Sequence, residues 1–269
     1  MPPGFTHAVF GRERELAAGA AFVDALRGGS GALLIEGEPG IGKSTVWSAI
    51  VRSAEAGAIR VLQARPAESE ARLSYSALAD LVGPVFDATR AVLPAPQEHA
   101  LAATLLRVTT TEPADPRTTA TAVVGVLGAL AHEQPVLIAI DDVQWVDAAS
   151  CRALEFVARR LPARVGLLLT RRTGGDAKAA LDLDGAVEPE SIERLVVGPL
   201  SLALLHHLIA NRLNRSFGRP VMARIAEASG GNPFFAVEIA RVLAHDSKDQ
   251  EGHRPLPVPD SVISPFTST

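Results

Sequence analysis

Three short clusters carry residue types able to do phosphate chemistry. Glu36-Gly37-Glu38-Pro39-Gly40-Ile41-Gly42-Lys43-Ser44-Thr45 fits the spacing G-x-x-x-x-G-K-[ST] of a phosphate-binding P-loop. Gly37, Gly40 and Gly42 let the backbone turn tightly and aim its N–H groups at an anion, and the helix that starts there adds its positive dipole end. Lys43 supplies a point charge for terminal phosphates. The Ser44 hydroxyl is a candidate Mg²⁺ ligand. The pair Asp141-Asp142 closes the apolar run Val136–Ile140. A carboxylate ending a strand beside the P-loop strand can hold the metal, directly or through water, which is the place of Asp141. Asp142 can polarise an attacking water. An Asp pair also suits a helix N-cap or a surface turn. Arg171-Arg172 follow the apolar run Val165–Thr170. At the carboxyl edge of a sheet an Arg can reach a γ-phosphate, with the Thr170 hydroxyl a weaker candidate for that task. The alternative is a solvated basic pair at a strand end.

The surrounding elements follow from periodicity and turn residues. A helix from Phe10 to about Leu26 puts Leu16, Val23 and Leu26 on one face and stops at Gly28-Gly29-Ser30-Gly31. Strand Ala32–Glu36, a helix from Gly42 to Ala56 and strand Ile59–Ala64 form a βαβ unit, which implies a parallel sheet. Between Ala67 and Gln134 the helical stretches are Tyr75–Asp87, Glu98–Val108 and Arg117–His132, with Leu93-Pro94-Ala95-Pro96 as a turn. Strand Val136–Ile140, helix Ala148–Leu161, strand Val165–Thr170, a loop with a short helix over Thr173–Glu190, and strand Glu193–Val197 complete an α/β domain. After Gly198-Pro199 the pattern turns all-helical: Ser201–Leu213, Pro220–Ala228 and Asn232–Ala244. The expected architecture is a P-loop α/β domain over residues 1–199 with a parallel five-stranded sheet flanked by helices. A small helical lid over 200–245 and a polar, Pro-rich tail over 246–269 follow it.

Composition narrows the class. Apolar residues make up 47% of 269 and aromatics 4%, so the core rests on aliphatic side chains. A net charge of −4 leaves no whole-chain footprint for nucleic acid. Cys151 is the single cysteine, so neither an internal disulfide nor a Cys-based zinc site is available. Cys151 near a helix start could carry a lowered pKa, but no base accompanies it and packing is the plainer role. The seven histidines lack metal spacing; His206 and His207 are neighbours pointing about 100° apart on a helix. Trp47 and Trp145 flank the two chemical motifs and read as core or domain-interface residues, Trp145 also as a sensor of closure. Met1-Pro2-Pro3-Gly4 does not start a basic-then-apolar leader, and no uncharged apolar stretch reaches the ~20 residues of a membrane span. The expectation is a cytoplasmic, soluble protein.

Taken together the motifs resemble the signal-transducing P-loop ATPases of the STAND branch of the AAA+-type superfamily. The likeness is greatest to the ATPase region of large LuxR-type bacterial transcription regulators. It rests on Phe10-Gly11-Arg12-Glu13-Arg14-Glu15-Leu16, on Glu36–Thr45, on Ile138–Asp147 (a DD-x-Q-W-x-D pattern), on Leu167–Arg172, and on Gly231-Asn232-Pro233-Phe234 as a G-x-P motif. Leu93-Pro94-Ala95-Pro96-Gln97 also has the look of these regulators. The resemblance implies an ATP- and Mg²⁺-binding switch with Gly11 and Arg12 near the adenine and Pro233 touching the nucleotide from the lid. It also implies Arg171, or else Arg172, as the sensor. The binding residues it implies are Gly11, Arg12, Gly37, Glu38, Pro39, Gly40, Ile41, Gly42, Lys43, Ser44, Thr45 and Pro233, with Ser44 and Asp141 on the metal. Lys43, Asp142 and Arg171 carry slow hydrolysis, if there is any. Such regulators continue to a sensor array and a helix-turn-helix, whereas this chain reads as a truncated product or stand-alone module. DNA binding is therefore not expected of it; self-association and protein partners stay open. The alternative is a nucleotide-binding interaction module without turnover.

Overall fold

Short apolar runs bounded by Gly, Pro and charged residues become strands. The computed structural model describes residues 9–174, 181, 183, 185–186 and 191–245. Its strands are β1 (Gly31–Gly37), β2 (Arg60–Ala64), β3 (Val136–Ile140), β4 (Val165–Arg172) and β5 (Ile192–Val196). They pair in parallel in the order β2-β3-β4-β1-β5. Every residue of β3 and the first six of β4 are buried. Strands covered on both faces read as continuous apolar runs without polar alternation.

The chain divides into two compact units. The larger comprises Arg14–Gly37 and Ser44–Val196 and contains the sheet. Its helices are α1 (Glu13–Ala25), α2 (Lys43–Ala56), α3 (Ser76–Thr89), α4 (Ala95–Thr104), α5 (Pro116–Glu133) and α6 (Ala148–Ala158). On one face of the sheet, Leu34, Leu62, Ile138 and Leu167 share a core with Leu78, Leu101, Leu127 and Leu154 from α3 to α6. On the other face, Trp47 of α2 is fully buried and donates its indole N–H to the Leu168 carbonyl at 3.3 Å. Truncating such a side chain costs ~3–5 kcal/mol. Leu26, just past α1, packs so close to β4 that a Cβ on Gly166 would lie 2.6 Å from its methyl carbons. Helices thus cover both faces, as the βαβ pattern implies.

Four local expectations are corrected. Helix α4 starts at Ala95 and ends at Thr104 instead of running over Glu98–Val108, because Pro96 sits in the first turn, where its missing N–H costs nothing. Helix α6 ends at Ala158 instead of Leu161. Arg171 and Arg172 do not follow a strand: they are its last two residues, in register with Glu36 and Gly37 of β1. Strand β3 is not beside the P-loop strand, since β4 lies between β3 and β1.

Among the described residues, the second unit takes in Val9–Glu13, the loop Glu38–Lys43 and Val197–His245. Its helices are α7 (Leu202–Leu213), α8 (Arg219–Ser229) and α9 (Pro233–His245). The Ser201 hydroxyl caps α7 by accepting from the Leu204 N–H at 3.4 Å, and Gly230 ends α8 in the left-handed region at φ 57°. Leu205, Ile209, Ile225, Ile239 and Leu243 pack into a small core. Most of Thr173–Glu190, expected as a loop with a short helix, and the tail from Asp246 lie outside the described residues.

Candidate functional site

Four consecutive carbonyls of the glycine loop are each met by a donor. The Glu38 carbonyl accepts from Lys43 Nζ at 2.9 Å, and the Pro39 carbonyl from Asn232 Nδ2 at 2.9 Å. The Gly40 carbonyl accepts from the Phe234 N–H at 3.4 Å, and the Ile41 carbonyl from Arg12 Nη2 at 2.8 Å. Gly40 and Gly42 take φ 76° and 106°, where an L side chain is strained. A Cβ on Gly40 would also strike Phe234 Cβ at 2.7 Å. Helix α2 begins at Lys43, and the N–H groups of a helix's first turn have no intrahelical acceptor. Helix-start amides beside left-handed glycines can make an anion cradle. Lys43, Arg12 and Ile41 are buried, and Thr45 is exposed. Gly11 turns at φ 67° against Leu204, while Pro233 opens α9. Gly37 is the last residue of β1, its carbonyl accepting from the Thr173 N–H at 3.0 Å.

The acid cluster forms at the carboxyl ends of β3 and β4. Asp141 Oδ1 accepts from the Ser44 hydroxyl at 3.1 Å and from the Thr170 hydroxyl at 2.7 Å. The Thr170 oxygen in turn accepts from the Asp142 N–H at 2.6 Å. Thr170 is fully buried and Asp141 nearly so. Asp142 sits in the left-handed region at φ 58°, ψ 61°, which Asp tolerates better than most residues. Its carboxylate pairs with Arg172 Nη2 at 3.2 Å, and that guanidinium lies 5.6 Å from the Trp145 ring centroid. Arg171 is engaged elsewhere: its Nε and Nη2 grip Glu36 Oε1 at 3.1 and 2.7 Å, while Arg194 reaches Glu36 Oε2 at 3.3 Å. Ser44 and Asp141 offer the hard oxygen donors Mg²⁺ prefers, so the residues fit that ion. Among the described residues no group of three or more His, Cys, Asp or Glu could hold a metal by itself.

Sequence reasoning passed over Asn232, Glu36 and Asp147. Asp147, the last residue of the DD-x-Q-W-x-D pattern, is 2% exposed and caps α6 by accepting from the Ala149 and Ser150 N–H groups. It also accepts from the N–H groups of Tyr75 and Ala77 at the start of α3. Burial pushes its pKa up, and the hydrogen bonds from Ser150, Tyr75 and Ala77 outweigh this, leaving it below the usual carboxylate value. An Asp one residue before a helix was the available signal. Cys151 is buried, its thiol directed at the Val146 carbonyl at 3.6 Å and its pKa pushed up to about 12 by burial, then by Asp147 and Glu155. It is a packing residue. His207 packs edge-on against Phe10.

The AAA ATPase domain family matches residues 8–170. The chain belongs to the AAA ATPase domain family. Its fold is also that of Cdc6p from Pyrobaculum aerophilum, at 13% identity and a TM-score of 0.58 over 91% of this chain and 65% of that one. The Aeropyrum pernix ORC2 protein, solved as ADPNP–ADP complexes, matches at 19% identity and a TM-score of 0.57 over 98% of this chain and 70% of that one. The Aeropyrum pernix ORC1 protein, solved in complex with DNA, matches at 18% identity and 0.54 over 92% and 63%. This AAA domain therefore spans under two thirds of the length of Cdc6p and ORC1. No curated protein matches it. Among its described residues no helix is long and apolar enough to cross a membrane.

Proposed function

We propose that this AAA domain is a Mg²⁺–ATP-binding switch with slow hydrolysis. The observation that carries the reading is the glycine loop that runs into the start of α2, with Gly40 and Gly42 at positive φ, Lys43 at its end and each carbonyl from Glu38 to Ile41 met by a donor. Gly40 to Ser44 bind the phosphates, with Lys43 as the point charge and Gly37, Glu38, Pro39 and Thr45 shaping the loop. Gly11 and Arg12 lie near the adenine, and Pro233 contacts the nucleotide. Ser44 and Asp141 hold Mg²⁺, which when bound neutralises charge on the phosphate oxygens. Thr170 fixes the Asp141 carboxylate, and Asp142 orients the attacking water. The sensor role goes to Arg172 rather than Arg171, because Arg172 meets Asp142 while Arg171 is clamped by Glu36. Catalysis is then positioning and charge neutralisation. The motif set Phe10–Leu16, Ile138–Asp147 and Gly231–Phe234 supports the ATPase region of a LuxR-type regulator as the wider context.

Titration calorimetry with ATP and Mg²⁺ tests this. The parent binds, and Lys43→Ala binds roughly ten- to a hundredfold more weakly, the value of one charge-assisted contact. Equal affinity of the two proteins sinks the reading. A second reading, binding without turnover, is favoured by one observation: Asp142 already carries the Arg172 guanidinium. Phosphate release that is near zero in both the parent and Asp142→Asn decides for it.

A further inference from the structure

Asn232 joins two elements through one amide. A phosphate cradle aims its N–H groups at the anion, which leaves its carbonyls to take donors from elsewhere; here Ile41 is buried, Pro39 half-buried and Gly40 exposed. Of the four loop carbonyls, one takes a donor from Lys43 of the loop itself and one from Arg12. The other two, Pro39 and Gly40, take theirs from the start of α9. Asn232 is 2% exposed and uses both ends of its amide. Nδ2 donates to the Pro39 carbonyl at 2.9 Å, 193 positions away, while Oδ1 accepts from the Phe234 and Phe235 N–H groups at 3.1 and 3.5 Å. The partners fix the amide's orientation: an oxygen toward two donors and a nitrogen toward a carbonyl. The approach is close enough that a Cβ on Gly40 would come within 3.1 Å of Asn232 Oδ1. Gly231, at φ 80°, presents Asn232, and its own carbonyl accepts from the Leu200 N–H at 2.9 Å.

We infer that Asn232 is a positioning residue of the phosphate loop, holding it in its binding conformation and coupling its order to the first turn of α9. The inference rests on the loop being a phosphate site. Either end can then bias the other: phosphate that orders the loop also secures the α9 cap, and loosening α9 loosens the loop.

Asn232→Asp and Asn232→Ser separate this from simple helix capping, because Asp and Ser both remain good N-caps but neither donates to Pro39 from that distance. Hydrogen exchange on the nucleotide-free chain is the first readout. Both variants exchange the Gly40, Ile41 and Gly42 amides about tenfold faster, while the α9 amides stay within about twofold of the parent. Affinity for ATP and for inorganic triphosphate falls about tenfold in both, with little change in Tm. Parent-like loop exchange in both variants overturns the inference and leaves Asn232 as a helix cap. An effect in Asn232→Asp alone also overturns it, since the added negative charge then explains the loss. If the parent itself binds no ATP, the phosphate reading fails, and the loop-exchange comparison still decides whether Asn232 holds the loop.

Discussion

Ser44 and Asp141, 97 positions apart in sequence, meet at 3.1 Å although β1 and β3, the strands that lead to them, are not neighbours in the sheet. Strand β4 stands between β1 and β3, and its Thr170 ties the arrangement by donating to the same Asp141 oxygen. The side chains proposed to hold the metal therefore depend on the strand in the middle.

Asp141→Asn is expected to abolish the Mg²⁺ dependence of ATP affinity while leaving most of the metal-free affinity. Calorimetry with and without Mg²⁺ reads this directly. Thr170→Val removes both a donor to Asp141 and the acceptor for the Asp142 N–H. Its expected cost is ~1–3 kcal/mol in urea unfolding, the penalty for stranding buried polar groups.

Arg171 and Arg172 are expected to separate cleanly. Arg171→Ala leaves Glu36, 13% exposed, with Arg194 alone, so it lowers stability by about 2 kcal/mol. Arg172→Ala leaves stability nearly unchanged and lowers phosphate release by about a hundredfold, if it stabilises charge in the transition state. A thermal melt and a phosphate-release assay on both variants check the assignment; the reverse pattern returns the sensor role to Arg171.

Acid sensitivity follows from Asp147. Its folded pKa is lowered, so the carboxylate adds stability that is present in full above the unfolded value of about 3.9. That contribution is lost as pH falls through the lowered folded value. Asp115, which caps α5 and is also lowered, adds in the same direction. Urea midpoints measured from pH 7 down to pH 3 are expected to drop in the parent. Asp147→Asn is expected to be less stable at pH 7 by about 1–3 kcal/mol, the range for weakened hydrogen bonds to a buried charged group, with a flatter pH profile over the acid range.

Cys151 is expected to resist thiol reagents. With its pKa near 12 and its side chain buried, native protein at pH 8 labels only as fast as it unfolds. Labelling in the native state faster than global hydrogen exchange would contradict its packing role.

Much of the fold was legible because its signals are local. Val136–Ile140 is a strand at the expected residues, since an apolar run between Pro135 and Asp141 is too short for a buried helix. The three helices after Pro199 begin and end within a few residues of their capping signals: Ser201, the left-handed Gly230 and Pro233. Helix α4 starts ahead of the expected Glu98 because Pro96 sits in its first turn, where proline is a favoured residue, and not in a turn before the helix.

The sequence by itself determined the glycine loop, the apolar strands and the AAA-type ATPase domain, because glycine spacing and strand-length apolar runs act over a few residues. Tertiary structure alone decided the strand order and the partners of the charged groups. Arg171 and Arg172 are consecutive in a strand, so their side chains leave opposite faces: one meets Glu36 in register on β1, the other meets Asp142 at the end of β3. No pattern within the chain says which is which. Asn232 likewise finds Pro39, and Asp147 finds Tyr75, only after folding, because such contacts depend on which elements become neighbours in space.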